Sequence, residues 1–186
     1  MSLSDTLVEE KLITGEELLA MGDIGPCELI DGRIVELSPV GGEHGFIEFN
    51  LGAELRAFVR QHKLGWVTGG EVGIYIRRNP DRVRGADIAF ISNETTSERP
   101  QGFLEIAPDL VVEVMSPNDR WQEVHEKIEE YFTIGVGQVW VVEPRNRAVR
   151  VYRSVTEVQR LGEGDMLQGE GVLAGFELPV VEIFAG

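Results

Sequence analysis

Apolar residues recur at helical spacing in two long segments of the chain. Within residues 43–63 the repeat is formed by Ile47, Leu51, Leu55, Phe58 and Val59. This spacing predicts an amphipathic helix that packs one face inward. A second helix is predicted over residues 120–134, where the stripe consists of Val124, Ile128, Tyr131 and Phe132. Gly135 is expected to end it.

The other apolar segments are short and have the pattern of strands. Residues 27–30 and 33–37 flank Asp31 and Gly32, a pair that favours a tight hairpin turn. Further strands are predicted over residues 66–68, 72–76, 86–91, 110–115, 139–142, 148–152 and 157–161. The segment 110–115 is apolar almost throughout, which is typical of a central strand covered on both faces. The last two segments resemble an antiparallel edge.

The order of these elements predicts an α/β fold in which helices flank a mixed central sheet with antiparallel edge hairpins. Thr14 and Glu17 have the spacing of a capping box, which predicts a short helix over residues 15–21. We expect residues 1–24 to form an N-terminal arm with this helix, and residues 25–186 to form a single globular domain.

Composition narrows the class of protein. A chain of 186 residues with 42% hydrophobic content is long enough for one domain with a sizeable core. The single cysteine, Cys27, excludes an internal disulfide and a CxxC metal site, so any metal must bind mainly through oxygen. No run approaches the ~18 apolar residues of a membrane span, and the first ten residues lack the pattern of a signal peptide. We therefore expect a cytoplasmic protein with no membrane partner.

The net charge bears on the possible partners. The chain has 32 acidic and 17 basic residues, for a net charge of −15. This charge repels polyanions at long range and counts against avid, nonspecific binding to DNA. A carboxylate cluster that binds divalent cations contributes to such a charge, so a nuclease stays compatible with it.

Glu113 is a carboxylate within the apolar segment 110–115. Burying an ionised carboxylate without a partner costs several kcal/mol, so Glu113 must pair with a buried cationic side chain, face a cleft or bind a cation. Asp87 opens the apolar segment 88–91. Two carboxylates on neighbouring strands could share a cation such as Mg²⁺. Alternatively, Asp87 is a strand-end residue bonded to nearby backbone.

Lys127 is the cation that the sequence places nearest to this cluster. It lies three residues after Val124 and four before Tyr131, so it faces the sheet. Its stem could follow the core boundary, or its ammonium could enter the carboxylate cluster. Asp109 precedes Glu113 by four residues on the same strand face, but about 13 Å separates such positions, so we exclude it and expect it to cap the strand start.

Several short motifs together resemble the Uma2 family of restriction-endonuclease-like, PD-(D/E)xK proteins. They lie at residues 28–32, at His44, and at residues 86–90, 108–117, 127–131, 135–142 and 175–176. The resemblance covers roughly residues 28–184 and depends on the order and spacing of the motifs.

The resemblance implies roles for particular residues. Asp87 and Glu113 match two metal-binding acids, Lys127 matches a catalytic lysine that has moved to the following helix, and Glu28 matches an early glutamate. Glu28 could equally be a surface strand residue. Met115 departs from the ExK pattern, in which the lysine stands two residues after the glutamate. His44 is an accessory base or ligand, or a hydrogen-bonded structural residue.

The function implied is hydrolysis of nucleic-acid phosphodiester bonds, with DNA as the expected substrate. Mg²⁺ or Mn²⁺ would be held by Asp87, Glu113 and the carbonyl of Val114, while Lys127 positions the nucleophile. Two alternatives stay open: an inactive nuclease fold that serves as a binding module, and a hydrolase of a small phosphorylated substrate. Trp66, the exposed strand edges and the apolar segment 178–184 suggest a homodimer or higher homo-oligomer.

Overall fold

The computed structural model describes residues 11–186 of the chain. Its helices are α1 (Gly15–Ala20), α2 (Gly42–His62), α3 (Trp121–Thr133) and α4 (Val180–Ile183). Its strands are β1 (Cys27–Ile30), β2 (Arg33–Glu36), β3 (Gly65–Arg77), β4 (Arg82–Ser92), β5 (Leu110–Val114), β6 (Gln138–Glu143), β7 (Ala148–Tyr152), β8 (Val158–Leu161), β9 (Met166–Gln168) and β10 (Glu177–Pro179). Two short 3-10 turns cover Pro144–Asn146 and Gly171–Leu173.

Eight strands form one central sheet. Its order is β2-β1-β4-β5-β6-β7-β8, and β3 pairs with β4. β5 and β6 are parallel, whereas the other pairs of this sheet are antiparallel. β9 and β10 form a separate two-stranded sheet. The predicted α/β class, with a mixed central sheet and antiparallel edges, is confirmed.

Helices cover both faces of the sheet. On one face α2 buries Ile47, Leu51, Leu55 and Val59 in a cluster that includes Ile88 and Val112. On the other face α3 buries Val124, Ile128 and Tyr131 in a cluster that includes Ala89 and Val111. Successive residues of β4 and β5 therefore enter different clusters. This two-sided burial explains why residues 110–114 are apolar except for Glu113.

Local sequence signals have the expected geometry. The Thr14 hydroxyl accepts a bond from the Glu17 amide at 3.1 Å, and the Glu17 carboxylate accepts one from the Thr14 amide at 2.9 Å. Asp31 and Gly32 have φ values of 55° and 76°, as a turn with two left-handed residues requires. The capping box and the hairpin turn are confirmed.

Two predicted strands proved to be parts of one. Residues 66–68 and 72–76 both belong to β3, and the ladder with β4 is irregular between Gly69 and Val72. β4 in turn begins at Arg82, four residues before the start of the predicted strand 86–91. Pairing in a long hairpin supplies backbone hydrogen bonds whatever the side chains are, so polar and glycine-rich residues could join the strands.

Of the N-terminal arm predicted over residues 1–24, residues 1–10 lie outside the described residues. Within residues 11–186, no helix is both long and apolar enough to cross a membrane.

Candidate active site

Asp87 and Glu113 lie side by side near the C-terminal end of β5. β4 and β5 are paired through Ile88 and Val112, and the next residue of each strand towards that end is Asp87 and Glu113. Both line a cleft of about 560 Å³. The other predicted site residues in its lining are Glu28, His44, Val114 and Lys127. The fold therefore brings together all the residues to which the sequence assigned a role.

The Glu113 carboxylate is bound by two side chains of α3. Its Oε2 accepts a bond from Lys127 Nζ at 2.9 Å, and its Oε1 accepts one from the Tyr131 hydroxyl at 2.6 Å. Burial raises the pKa of Glu113 to about 7, because the desolvation and the repulsion from Asp87 outweigh the attraction of Lys127 and these hydrogen bonds. Glu113 is thus paired with a cation and also faces the cleft.

Lys127 reaches the sheet and has three oxygen acceptors. Its ammonium lies 2.8 Å from the Gly85 carbonyl, 2.9 Å from Glu113 Oε2 and 3.4 Å from Glu28 Oε1. Burial by itself would lower the pKa of Lys127, but the charges of Glu113 and Glu28 raise it well above its ordinary value. Lys127 is therefore a permanent cation between two acids.

Gly85 connects the strands to this ion pair through its backbone. Its amide donates to Glu28 Oε1 at 3.1 Å, and its carbonyl accepts from Lys127. The Tyr131 hydroxyl, which donates its proton to Glu113, lies 3.3 Å from the same carbonyl. A Cβ at this position would lie only 2.5 Å from the Glu71 carboxylate. The absence of a side chain at position 85 lets the charged groups approach the strand.

Glu28 is buried, and the surface-strand interpretation of this residue is wrong. Its exposed fraction is 5%, and its Oε2 accepts a bond from Arg84 Nη1 at 2.7 Å. Glu130 of α3 accepts from Arg84 Nε at 2.6 Å and also binds Arg82. Glu28 consequently keeps strong partners besides Lys127.

Asp87 links the cleft to the first turn of α2. Its Oδ1 lies 3.0 Å from His44 Nε2, its Oδ2 accepts from the Val114 amide at 2.6 Å, and His44 Nδ1 lies 3.2 Å from the Ser116 hydroxyl. Burial tends to lower the pKa of His44, but the bond to Asp87 and the neighbouring carboxylates raise it overall. His44 is hydrogen-bonded, as one interpretation of it expected. Asp87 is bonded to backbone, but it lies in the middle of β4 and not at a strand end.

A second group of donors also includes Asp87. Ligand atoms of His44, Glu48 and Asp87 all lie within 4.8 Å of one another. Glu48 accepts a bond from the Gly70 amide at 2.9 Å, and burial raises the pKa of its carboxyl group. These three residues could hold a metal ion on the α2 side of Asp87.

Asp109 and Met115, which the sequence analysis considered, contribute no charge to the cleft. Asp109 accepts bonds from the Ser92 amide at 2.7 Å and the Thr95 hydroxyl at 3.0 Å, so it organises the loop beside the start of β5. Met115 packs against the cluster on the α3 face, and its amide donates to the Val142 carbonyl at 2.9 Å.

Sequence reasoning missed four groups at this site. Tyr131 and Glu48 follow Lys127 and His44 by one helical turn, a spacing that could have revealed both. Arg84 and Glu71 carry no such local signal. Glu71 adopts a left-handed φ of 59° at the irregularity in β3. Partial desolvation of its carboxylate and repulsion from Asp87 raise its pKa.

Comparisons with known proteins agree with this architecture. The crystal structure titled as a putative nuclease belonging to DUF820 from Anabaena variabilis is similar, with a TM-score of 0.77 and 21% sequence identity. The alignment covers 92% of this chain and 97% of that one, so the two share a fold. No curated protein sequence matches the chain. The profile of the family described as "Uma2: Putative restriction endonuclease" matches residues 16–181, and the chain therefore belongs to the Uma2 family.

Proposed function

We propose that this chain is a metal-dependent endonuclease that hydrolyses phosphodiester bonds of nucleic acid, with DNA as the expected substrate. The observation that carries the proposal is the position of Lys127, whose ammonium binds Glu113 beside Asp87 in an open cleft. A buried lysine and two acids on neighbouring strands are the groups that such a reaction needs. The description of the Uma2 family as a restriction endonuclease points to the same chemistry.

The charges that line the cleft fit a divalent cation. Within the described part of the chain, seven carboxylates line it: Glu28, Glu71, Asp87, Glu113, Asp119, Glu123 and Glu126. Among the same residues, the only arginine or lysine side chains in the lining are Arg84 and Lys127. Carboxylate and peptide oxygens are the ligands that Mg²⁺ and Mn²⁺ prefer, so Asp87, Glu113 and the Val114 carbonyl would hold the ion. His44 and Glu48 offer a second position beside Asp87, where an imidazole ligand would favour Mn²⁺ over Mg²⁺.

A bound Mg²⁺ or Mn²⁺ would activate a water molecule and neutralise charge on the phosphate. The oxygens of Asp87 and Glu113 keep lone pairs for it, because each carboxylate oxygen can accept more than one bond. The protein's own contribution would be to orient the substrate and to stabilise the negative charge that develops on it.

Lys127 would supply that stabilisation. Of its three acceptors, Glu28 is the most distant, at 3.4 Å. Glu28 would lose little if Lys127 turned towards a phosphate, because Arg84 and the Gly85 amide still bind it. The bond to Glu113 would keep the ammonium in place as this exchange occurs. Lys127 would thereby supply from α3 the positive charge that Met115, the residue after β5, cannot supply.

Cleavage of plasmid and single-stranded DNA in Mg²⁺ or Mn²⁺ tests this proposal. We expect cleavage by the wild-type protein, a much lower rate for Glu113→Gln, and a rate close to wild type for Glu143→Gln, a control outside the cleft. The proposal is wrong if no polymer is cleaved with either metal and calorimetry shows no metal binding.

The direct ion pair between Lys127 and Glu113, together with the methionine at position 115, favours a second candidate, a binding module without catalysis. Calorimetry would then detect no binding of Mg²⁺ or Mn²⁺. The acidic surface would suit a third, a hydrolase of small phosphorylated substrates, which would cleave nucleotides but not polymers. Self-association as a homodimer stays a prediction, which sedimentation would refute by showing a monomer.

A further inference from the structure

A second groove runs along α2 beside the edge strand β3. Its volume is about 610 Å³, and its lining includes Phe49, Arg56 and Arg60 of the helix with Val67 and Thr68 of the strand. Glu48 belongs both to this lining and to the donor group formed with His44 and Asp87. The groove therefore adjoins the candidate active site.

Most side chains that line this groove come from one face of α2. Phe49, Ala53, Arg56 and Arg60 follow one another at spacings of four, three and four residues, so they share a face of α2. Phe49 is 76% exposed, although the opposite face of the same helix is fully buried against the sheet. Gly52 and Ala57, which also line the groove, are too small to cover the ring. The result is an open apolar surface with an exposed aromatic ring.

The arginines of the groove differ from most others in the protein. Within residues 11–186, neither Arg56 nor Arg60 forms an ion pair or a side-chain hydrogen bond. Most of the remaining arginines are paired with acids: Arg77, Arg78, Arg82, Arg84, Arg147, Arg150, Arg153 and Arg160. In a chain with a net charge of −15, two neighbouring arginines without an acidic partner among residues 11–186 make a local site for anions.

We propose that this groove binds a single-stranded segment of nucleic acid, a conclusion that rests on the proposed nuclease function. Arg56 and Arg60 contact successive phosphates, and a base stacks on Phe49. An exposed aromatic ring beside cations is the combination by which proteins hold single strands, because unpaired bases present their flat faces. In a duplex those faces are covered by neighbouring base pairs. The groove thus holds the strand that continues from the cleft.

The binding of a fluorescein-labelled oligothymidylate, measured by anisotropy in EDTA over a series of salt concentrations, tests the assignment. For Arg56→Gln/Arg60→Gln, the slope of log affinity against log salt should fall in magnitude by about 1.4, because two phosphate contacts are lost. Phe49→Ala should weaken binding about tenfold through lost stacking. All three side chains are exposed, so folding should be unaffected.

A matched control separates this site from the general effect of charge. Lys11→Gln/Arg77→Gln makes the same change of net charge at exposed ion pairs, with Arg77 at the far end of β3. This variant should retain most of the wild-type affinity and its salt slope. Equal losses in both double variants would overturn the assignment.

The outcomes distinguish this inference from the proposed function. If the wild-type protein cleaves DNA but the groove variants bind the oligonucleotide as tightly as the wild type, the groove inference is wrong and the proposed nuclease function is retained. If the wild-type protein binds single strands through the groove but cleaves no DNA, only the proposed nuclease function is wrong. If the variants change the sedimentation of the protein and leave oligonucleotide binding unchanged, the groove is a contact between two copies, and the inference is wrong.

Discussion

Glu113 and Glu143 are buried carboxylates on neighbouring parallel strands, β5 and β6, with exposed fractions of 9% and 4%. Each is bound by a cationic side chain. Glu143 Oε1 accepts from Arg150 Nε at 2.7 Å and lies 3.7 Å from Arg160 Nε, while its Oε2 accepts from Asn146 at 2.7 Å. Both glutamates are thus buried near the C-terminal end of their strands and bound by cations.

The difference between them is the balance of charge. Two arginines serve the single carboxylate of Glu143. Glu113 shares one lysine with Glu28, and Asp87 repels it further. Glu113 also lines the cleft, whereas Glu143 does not. A buried carboxylate therefore indicates a site only where acids outnumber cations and where the group is open to a ligand.

The sharpest test of this comparison is to neutralise each glutamate in turn. Glu113→Gln should lower the rate of DNA cleavage in Mn²⁺ by about 10² to 10³, the range for losing one charged or donor group of an active site. Its fold should persist, because burial raises the pKa of Glu113 and the folded state thus favours the uncharged form. Rates come from plasmid nicking and stability from urea unfolding. Full activity in this variant would remove Glu113 from the site.

Removing the shared cation should affect stability most. Lys127→Met leaves Glu28 and Glu113 buried without their common partner, at a cost of about 3 kcal/mol in the free energy of unfolding. A divalent cation could replace the lost charge, so Mn²⁺ should raise the Tm of this variant more than that of the wild type. Equal effects of Mn²⁺ on both proteins would argue against a cation position beside Glu113.

Neutralising Glu143 should lower the stability of the protein and leave its activity nearly unchanged, which is the reverse of the effect at Glu113. Glu143→Gln should destabilise the fold by about 2 kcal/mol, because charge-assisted bonds to Arg150 and Asn146 weaken. Cleavage should stay within about twofold of the wild-type rate once the protein is folded. A large loss of activity with unchanged stability would reverse the roles that we assign to the two residues.

The smallest effect is expected at His44, and it should depend on pH. The pKa of His44 is raised in the fold above its ordinary 6.5, so the protonated pair with Asp87 adds stability below that pH. This added stability disappears as the pH rises through the folded-state pKa. Urea unfolding should show that His44→Gln costs about 1 kcal/mol at alkaline pH and more under mildly acidic conditions. A cost that does not change with pH would contradict the raised pKa.

Much of the fold could be predicted because the signals are local. The spacing of Ile47, Leu51 and Leu55 indicates which face of α2 is buried, and the pair Asp31 and Gly32 indicates a turn. The residues Asp87, Glu113 and Lys127 could be chosen because each breaks an apolar pattern or lies on an inward face. Their convergence then followed from β4, β5 and α3 being neighbours.

Other parts of the site had no signal of this kind. Arg84 stands in a polar stretch, and only its bonds to Glu28 and Glu130, which are 56 and 46 residues away in the chain, give it a place in the network. Gly85 is one of 22 glycines, and no local pattern indicates that its carbonyl accepts a hydrogen bond from Lys127 and lies beside the Tyr131 hydroxyl. The continuity of β3 was hidden because Gly69 and Gly70 resemble a break, whereas pairing with β4 carries the strand across them.

The sequence by itself therefore determined the elements, the inward faces of the helices and the presence of a carboxylate that needs a partner. Only the tertiary structure decided which partner Glu113 has and how many acids compete for it. The physical reason is that periodicity and capping act over a few residues, whereas the charge felt by a carboxylate depends on every group within a few ångströms. For Glu113 those groups come from β1, β4 and α3, and the register of the sheet brings them together.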